Sequence, residues 1–157
     1  VASAEDFLTA EERQRVAEAI GEAERLTSGE IRVHLDDHIE DEVMDHAAFI
    51  FEELAMHRTR DRNGVLIYIA VADRRVAVIG DAGINERVPS GFWNDVVGVL
   101  KLHFAAGRHA EGLIEAVHMV AAKLQEYFPL KHDDQNELSN EVSIGKRKTD
   151  PHKQASR

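Results

Sequence analysis

The side chains of this sequence best placed to do chemistry are oxygen donors set beside glycines. Glu30, Asp81, Asn85 and Glu86 supply carboxylate and amide oxygens, with Asp61 and Asn63 in the same group. Gly80 and Gly83 leave room for backbone carbonyls to approach a ligand. Oxygen-only ligands suit a hard ion, calcium first, with magnesium or another divalent cation as the alternative. Calcium takes about six to eight oxygens, so loop carbonyls and water would have to complete the shell. No loop of the EF-hand kind is present. The plain alternative is that scattered acids on an acidic chain form a solvated surface. Arg32, two residues after Glu30, is a candidate for holding a phosphate or carboxylate in a fork. Its plain alternative is a surface pair with Glu30 or another acid.

Nine histidines raise a second possibility. His34 and His38 flank Asp36-Asp37, but zinc or nickel needs three or four converging ligands. His46, His57, His103, His109 and His118 fall on or beside different helices, and the sequence shows no convergence among them. The chain has no cysteine, which excludes disulfides, thiolate metal sites and cysteine nucleophiles. It has no G-x-S-x-G elbow and no Gly-Lys-Ser/Thr phosphate loop. Gly80-Asp81-Ala82-Gly83 is short and acidic for a phosphate cradle, unless a cation bridges the charges.

These groups must be positioned by regular elements. Thr9 and Glu12 form a capping box, and Val16, Ile20, Ala23 and Leu26 recur at helical spacing up to Gly29. Ile31, Val33 and Leu35 alternate with polar residues, as in a strand half covered on one face. A second helix is expected from about Asp41 to His57, burying Met44, Ala47, Ala48, Phe51, Leu54 and Ala55. The unbroken apolar run Val65–Ala72 reads as a central strand covered on both faces. Asp73-Arg74-Arg75 turns it into an antiparallel partner at Val76–Ile79. Pro89 and Ser90 open a third main helix with Trp93, Val96, Val97, Leu100 and Phe104 inward, Trp93 as a core anchor. A fourth covers about His109 to Tyr127, stopped by Pro129.

The order α-β-α-β-β-α-α makes the first two strands parallel through a right-handed crossover. The expected fold class is α/β: an αβα sandwich with a small mixed sheet flanked by helices on both faces. The expected boundaries are an α/β domain over 1–130 and a C-terminal extension over 131–157, its last part disordered. In this topology Glu30, Asp61, Asn63, Asp81, Asn85 and Glu86 lie at one edge of the sheet. Asp36, Asp37 and Asp73 lie at the opposite edge.

The chain carries 19 basic and 29 acidic residues, a net charge of −10 with histidines neutral. Such a surface repels nucleic acid and anionic lipid and attracts divalent cations and basic partners. No apolar run approaches the roughly 20 residues that span a bilayer, and no leader segment is visible. The expectation is a cytoplasmic monomer with a protein partner, no nucleic acid and no membrane span.

Three stretches together resemble a TPM domain, of the cytoplasmic bacterial type. Thr27-Ser28-Gly29-Glu30-Ile31-Arg32-Val33-His34 is similar to its opening strand. Asn63 to Arg75, followed by Gly80-Asp81-Ala82-Gly83-Ile84-Asn85, is similar to its central hairpin. Val88-Pro89 to Phe92-Trp93 and Phe104 to Gly112-Leu113 complete the pattern, and Asn136 to Glu141 resembles the end of cytoplasmic bacterial members. The resemblance covers about residues 7–144 and implies a compact αβα sandwich that binds calcium or another divalent ion. Thylakoid-lumen relatives are linked to acid phosphatase activity and photosystem II repair. An animal relative modulates an acetylcholine receptor. By resemblance, Glu30, the Gly80–Asn85 loop and Asp73 match acidic positions associated with metal binding. The topology sets Asp73 apart from Glu30, which makes it a turn residue bonding its own hairpin or else implies a different strand order. The function expected is a calcium-binding module for protein interaction, assembly or repair. The alternatives are a metal-dependent phosphatase of low activity and a metal-free, chaperone-like or acidic partner-binding domain.

Overall fold

In a computed structural model, residues 2–130 and 140–145 are described. The elements run α1 (Ala4–Phe7), α2 (Ala10–Glu24), β1 (Glu30–Asp36), α3 (Val43–Glu53), β2 (Gly64–Ala70), β3 (Arg75–Gly80), α4 (Ala82–Asn85), α5 (Phe92–Ala105), α6 (His109–Tyr127) and β4 (Ser143–Ile144). The strands form one sheet in the order β3-β2-β1-β4. β1 pairs parallel with β2, from Glu30 opposite Gly64 to Asp36 opposite Ala70. β3 returns antiparallel to β2. The αβα sandwich with a mixed sheet is therefore what forms.

Strand periodicity sorts the side chains between two layers. Ile31, Val33, Leu35, Val65, Ile67, Ile69, Val76 and Val78 face α2, α5 and α6 in the larger core. Leu66, Tyr68, Ala70 and Ala77 face α3 in the smaller one, against Ala47, Phe51 and Met56. β2 is buried along its whole length, as its unbroken apolar run requires. The Thr9 capping box starts α2 as expected, with Thr9 accepting from the Glu12 amide and Glu12 from the Thr9 amide.

Several boundaries differ from the sequence reading. α2 ends at Glu24, not near Gly29, so Leu26 leaves the buried stripe and is 54% exposed. The chain is held there instead by Thr27, which pairs with Pro129 and donates its hydroxyl to the Leu124 carbonyl. α3 ends at Glu53 and a separate 3₁₀ turn covers Met56–Arg58, with Ala55 left-handed between them. The α3 stripe narrows to Ala47 and Phe51, because a single helix can turn only a limited arc towards the sheet; Met44 lies outside that arc and is 48% exposed. β2 stops at Ala70, Val71 and Ala72 being drawn into bonds from their amides to the Asp36 and Asp37 carbonyls. α5 opens at Phe92, behind Gly91 with φ +85°. β4 comes from the stretch assigned to the extension: Ser143 and Ile144 pair parallel with His34 and Leu35. The basic Lys146-Arg147-Lys148 stretch, the segment from Pro151 and the Asn136–Ser139 part of the resemblance lie outside the described residues.

The two layers imply a test. Leu124, fully buried in the larger core, should cost about 2–5 kcal/mol when cut to alanine. Met44→Ala, on the exposed side of α3, should stay within about 0.5 kcal/mol of the parent. Urea unfolding of both variants checks the layer assignment. Equal losses would contradict it.

Candidate functional site

The first candidate cluster sits where the sequence placed it, at the amino end of β1 and β2, but Asp81 and Asn85 are already engaged within the chain. Asp81 is the N-cap of α4 and accepts from the Ala82 amide at 2.7 Å. Arg62 grips the same carboxylate in a fork, Nε to Oδ2 at 2.7 Å and Nη2 to Oδ1 at 2.8 Å. Asn85 Oδ1 accepts from Trp93 Nε1 at 2.9 Å. Glu86 is exposed on the C-cap of α4, and Glu30 is 1% exposed. Asn63 is buried, its side-chain amide donating to Ser28 Oγ at 3.2 Å. The glycines expected to let a ligand approach serve packing instead. A side chain at Gly80 would collide with the Trp93 ring, and one at Gly83 with the Asp61 and Arg62 carbonyls. This donor set fits a divalent cation poorly, since Asp81 and Asn85 would first have to release donors from their own chain.

Arg32 is half-buried. Burial lowers its pKa from the ordinary guanidinium value, against the charges of Glu141 and Glu24. Its position beside those two acids is that of a charge balanced within the fold.

Asp73 does not join Glu30. It lies at the carboxyl end of β1 and β2, and its carboxylate bonds the neighbouring loop, not its own hairpin. Oδ2 accepts from the Ile39 amide at 2.8 Å, and His38 Nδ1 contacts Oδ1 at 2.8 Å. Burial pushes the Asp73 carboxyl up, but the Ile39 amide, His38 and Arg75 outweigh it, and its pKa lies below the ordinary value.

The same end holds a network that the sequence reading did not assemble. His34 and Tyr68 are neighbours in register on adjacent strands, and Asp36 shares their face. Tyr68 donates its hydroxyl to Asp36 Oδ2 at 2.6 Å. His34 Nε2 lies 3.2 Å from Asp36 Oδ1, and its Nδ1 lies 2.9 Å from Ser143 Oγ of β4. From α3, His46 spans two carboxylates, Nε2 at 3.5 Å from Asp36 Oδ2 and Nδ1 at 3.0 Å from Asp41 Oδ1. Asp37 accepts from the Ala4 amide at 2.6 Å and so anchors α1. Burial pushes the Asp36 carboxyl up, yet the bonds from His34 and Tyr68 and the charges of His34 and His46 prevail and hold its pKa below the ordinary value. Burial and Asp36 push the Tyr68 phenol far above its ordinary range. The signal in the sequence was Tyr68 itself: a polar tip inside a buried run needs a partner, and period two puts His34 and Asp36 on its face.

The TPM domain matches residues 1–123. The chain belongs to the TPM-domain family. A TPM-fold protein solved by NMR, BA42 from the psychrophilic bacterium Bizionia argentinensis, is 44% identical over 90% of this chain and 97% of that one, with a TM-score of 0.83. The N-terminal domain of a P. gingivalis protein is 22% identical over 81% of this chain and 84% of that one, with a TM-score of 0.66, a likeness of fold. No curated protein matches. Among the described residues of this TPM domain no helix is long and apolar enough to cross a membrane. Nor do three or more His, Asp or Glu side chains of the described residues converge as a metal would need.

The Asp36 network has a pH consequence. A carboxyl whose folded pKa is depressed contributes stability above its unfolded value, about 3.9, and loses it as the pH falls through the folded value. Tyr68→Phe removes one donor and should cost about 1.5–3 kcal/mol at neutral pH, the worth of a hydrogen bond to a charged group. Asp36→Asn should flatten the decline in stability below about pH 4. Chemical denaturation across pH 2.5–7 reads both, and an unchanged acid limb in Asp36→Asn would contradict the assignment.

Proposed function

We propose that this TPM-domain chain is a binding module that works without turnover. It takes positively charged ligands at the acidic carboxyl end of β1 and β2. Calcium or another divalent cation is the smallest such ligand, and a protein engaged in assembly or repair is the partner. The observation that carries this reading is the pair of loops that meet there. Val71 and Ala72 bond the Asp36 and Asp37 carbonyls, which ties Asp73 beside Ile39; the Asp73 carboxyl is held ionised by the Ile39 amide and His38, and Glu40 and Asp41 stand exposed directly after Ile39 in sequence. Open α/β sheets bind ligands at the carboxyl ends of their parallel strands. Carboxylate oxygens are the right chemistry for a hard ion. The exposed His38–Asp73 pair is a weak contact that an ion can displace, since such pairs contribute at most about 1 kcal/mol.

The phosphatase alternative would draw its nucleophile from Asp81 or Asp73. Asp81 is held on both oxygens by Arg62 and caps α4, so it is poorly placed to attack. The binding reading is the one the geometry favours.

The decisive measurement is a calcium titration of chelator-treated protein, followed by backbone amide shifts and melting temperature. Saturable shifts at residues 36–41 and 71–74 are expected, with a rise in melting temperature by mass action. Asp73→Asn should abolish them. Saturable shifts confined to Glu30 and residues 80–86 would return the ion to the other end of the sheet. Absence of shifts at millimolar calcium would remove the cation from the reading.

A further inference from the structure

Phe49 projects from the outer face of α3 with 54% of its surface exposed. Exposure of one ring is ordinary by itself; what sets Phe49 apart is what surrounds it. Its surroundings are acidic. On a helix, residues three and four apart share a face, so Asp45 and Glu52 flank it, both exposed. Glu40, Asp41, His46 and Phe49 line an open groove. His46 does not swing freely there: its ring is fixed between Asp36 and Asp41, and it meets Phe49 at 5.8 Å between centroids. The groove thus has a fixed wall, an exposed aromatic face and carboxylates around it.

We infer that this groove is a docking site for a basic segment of a protein partner, taking an arginine or lysine side chain over the Phe49 ring with its charge among Glu40, Asp41, Asp45 and Glu52. The chemistry selects that occupant. A guanidinium or ammonium over an aromatic face is attracted by the ring quadrupole, and its aliphatic stem covers apolar surface. Nucleic acid and anionic lipid are repelled by the carboxylates. A second copy of this chain meeting face to face would oppose carboxylate to carboxylate. A bare divalent ion gains nothing from Phe49. The inference deepens the reading above and rests on it in one respect, that the partner is cationic.

The test is fluorescence anisotropy of the whole chain with a labelled peptide of alternating arginine and alanine. Saturable binding is expected, weakened about two- to fivefold by Phe49→Ala, the fold-change of a cation–π contribution of about 0.5–1 kcal/mol at an exposed ring. Phe49→Tyr should retain binding, and Asp45→Asn with Glu52→Gln should weaken it. Phe49 is exposed, so its replacement leaves the fold intact, which amide spectra check. Calcium shifts at residues 36–41 should survive Phe49→Ala. Peptide binding unchanged in Phe49→Ala overturns the groove and leaves the calcium reading standing. Loss of calcium shifts in the parent with peptide binding still dependent on Phe49 overturns the ion and leaves the groove. Absence of peptide binding by the parent overturns the groove.

Discussion

A strand buried on both faces can carry a polar side chain only if that side chain finds a partner, and β2 carries Tyr68. The phenol's bond to Asp36 meets that requirement, and much of the carboxyl end of the sheet is arranged around it. Asp36 in turn needs donors to stay charged while half-buried. His34 from the same strand and His46 from α3 provide them. Ser143 reaches the other nitrogen of His34, so the edge strand β4 is tied into the same network.

The two ends of the sheet are built differently for the same reason. At the amino end, Asp81 caps α4 and holds Arg62, and Asn85 accepts from the Trp93 indole. At the carboxyl end, the loops after β1 and β2 bond one another through their backbones; Asp36, Asp37 and Asp73 are bonded within the fold, while Glu40 and Asp41 stand exposed. A ligand-binding surface on a small domain is best placed where the scaffold does not depend on every side chain. Exposed Phe49 and its acidic neighbours continue that surface along α3.

The charge of the chain follows the same logic. With a net charge of −10, the molecule favours cationic partners at a distance, while contact requires a defined surface. An ionised Asp36 held by three side chains is structural, whereas the Asp73–His38 pair and the Phe49 groove are exposed enough to change partners.

Hydrophobic spacing alone was enough for the elements that span the core. The alternation Ile31, Val33, Leu35, the unbroken run from Val65 and the helix from His109 to Tyr127 are where the sequence puts them, because burying their apolar sides is a local pattern. Parallel pairing of β1 and β2 followed from the intervening helix, and with it the separation of Asp73 from Glu30. The helix end at Glu24 was not legible, since the chain after it is held by the distant residues Leu124 and Pro129, and the end at Glu53 is followed by a left-handed Ala55 that no residue type announces. β4 was not legible either: two residues carry too little pattern, and only the free edge of β1 calls them in. Nor could the sequence show that Arg62 takes both oxygens of Asp81, or that Tyr68, His34, His46 and Asp36 converge. Residue type and period say which face a side chain occupies; the tertiary structure alone decides which donor reaches which acceptor, because those distances are set by how strands and helices from separate parts of the chain pack together.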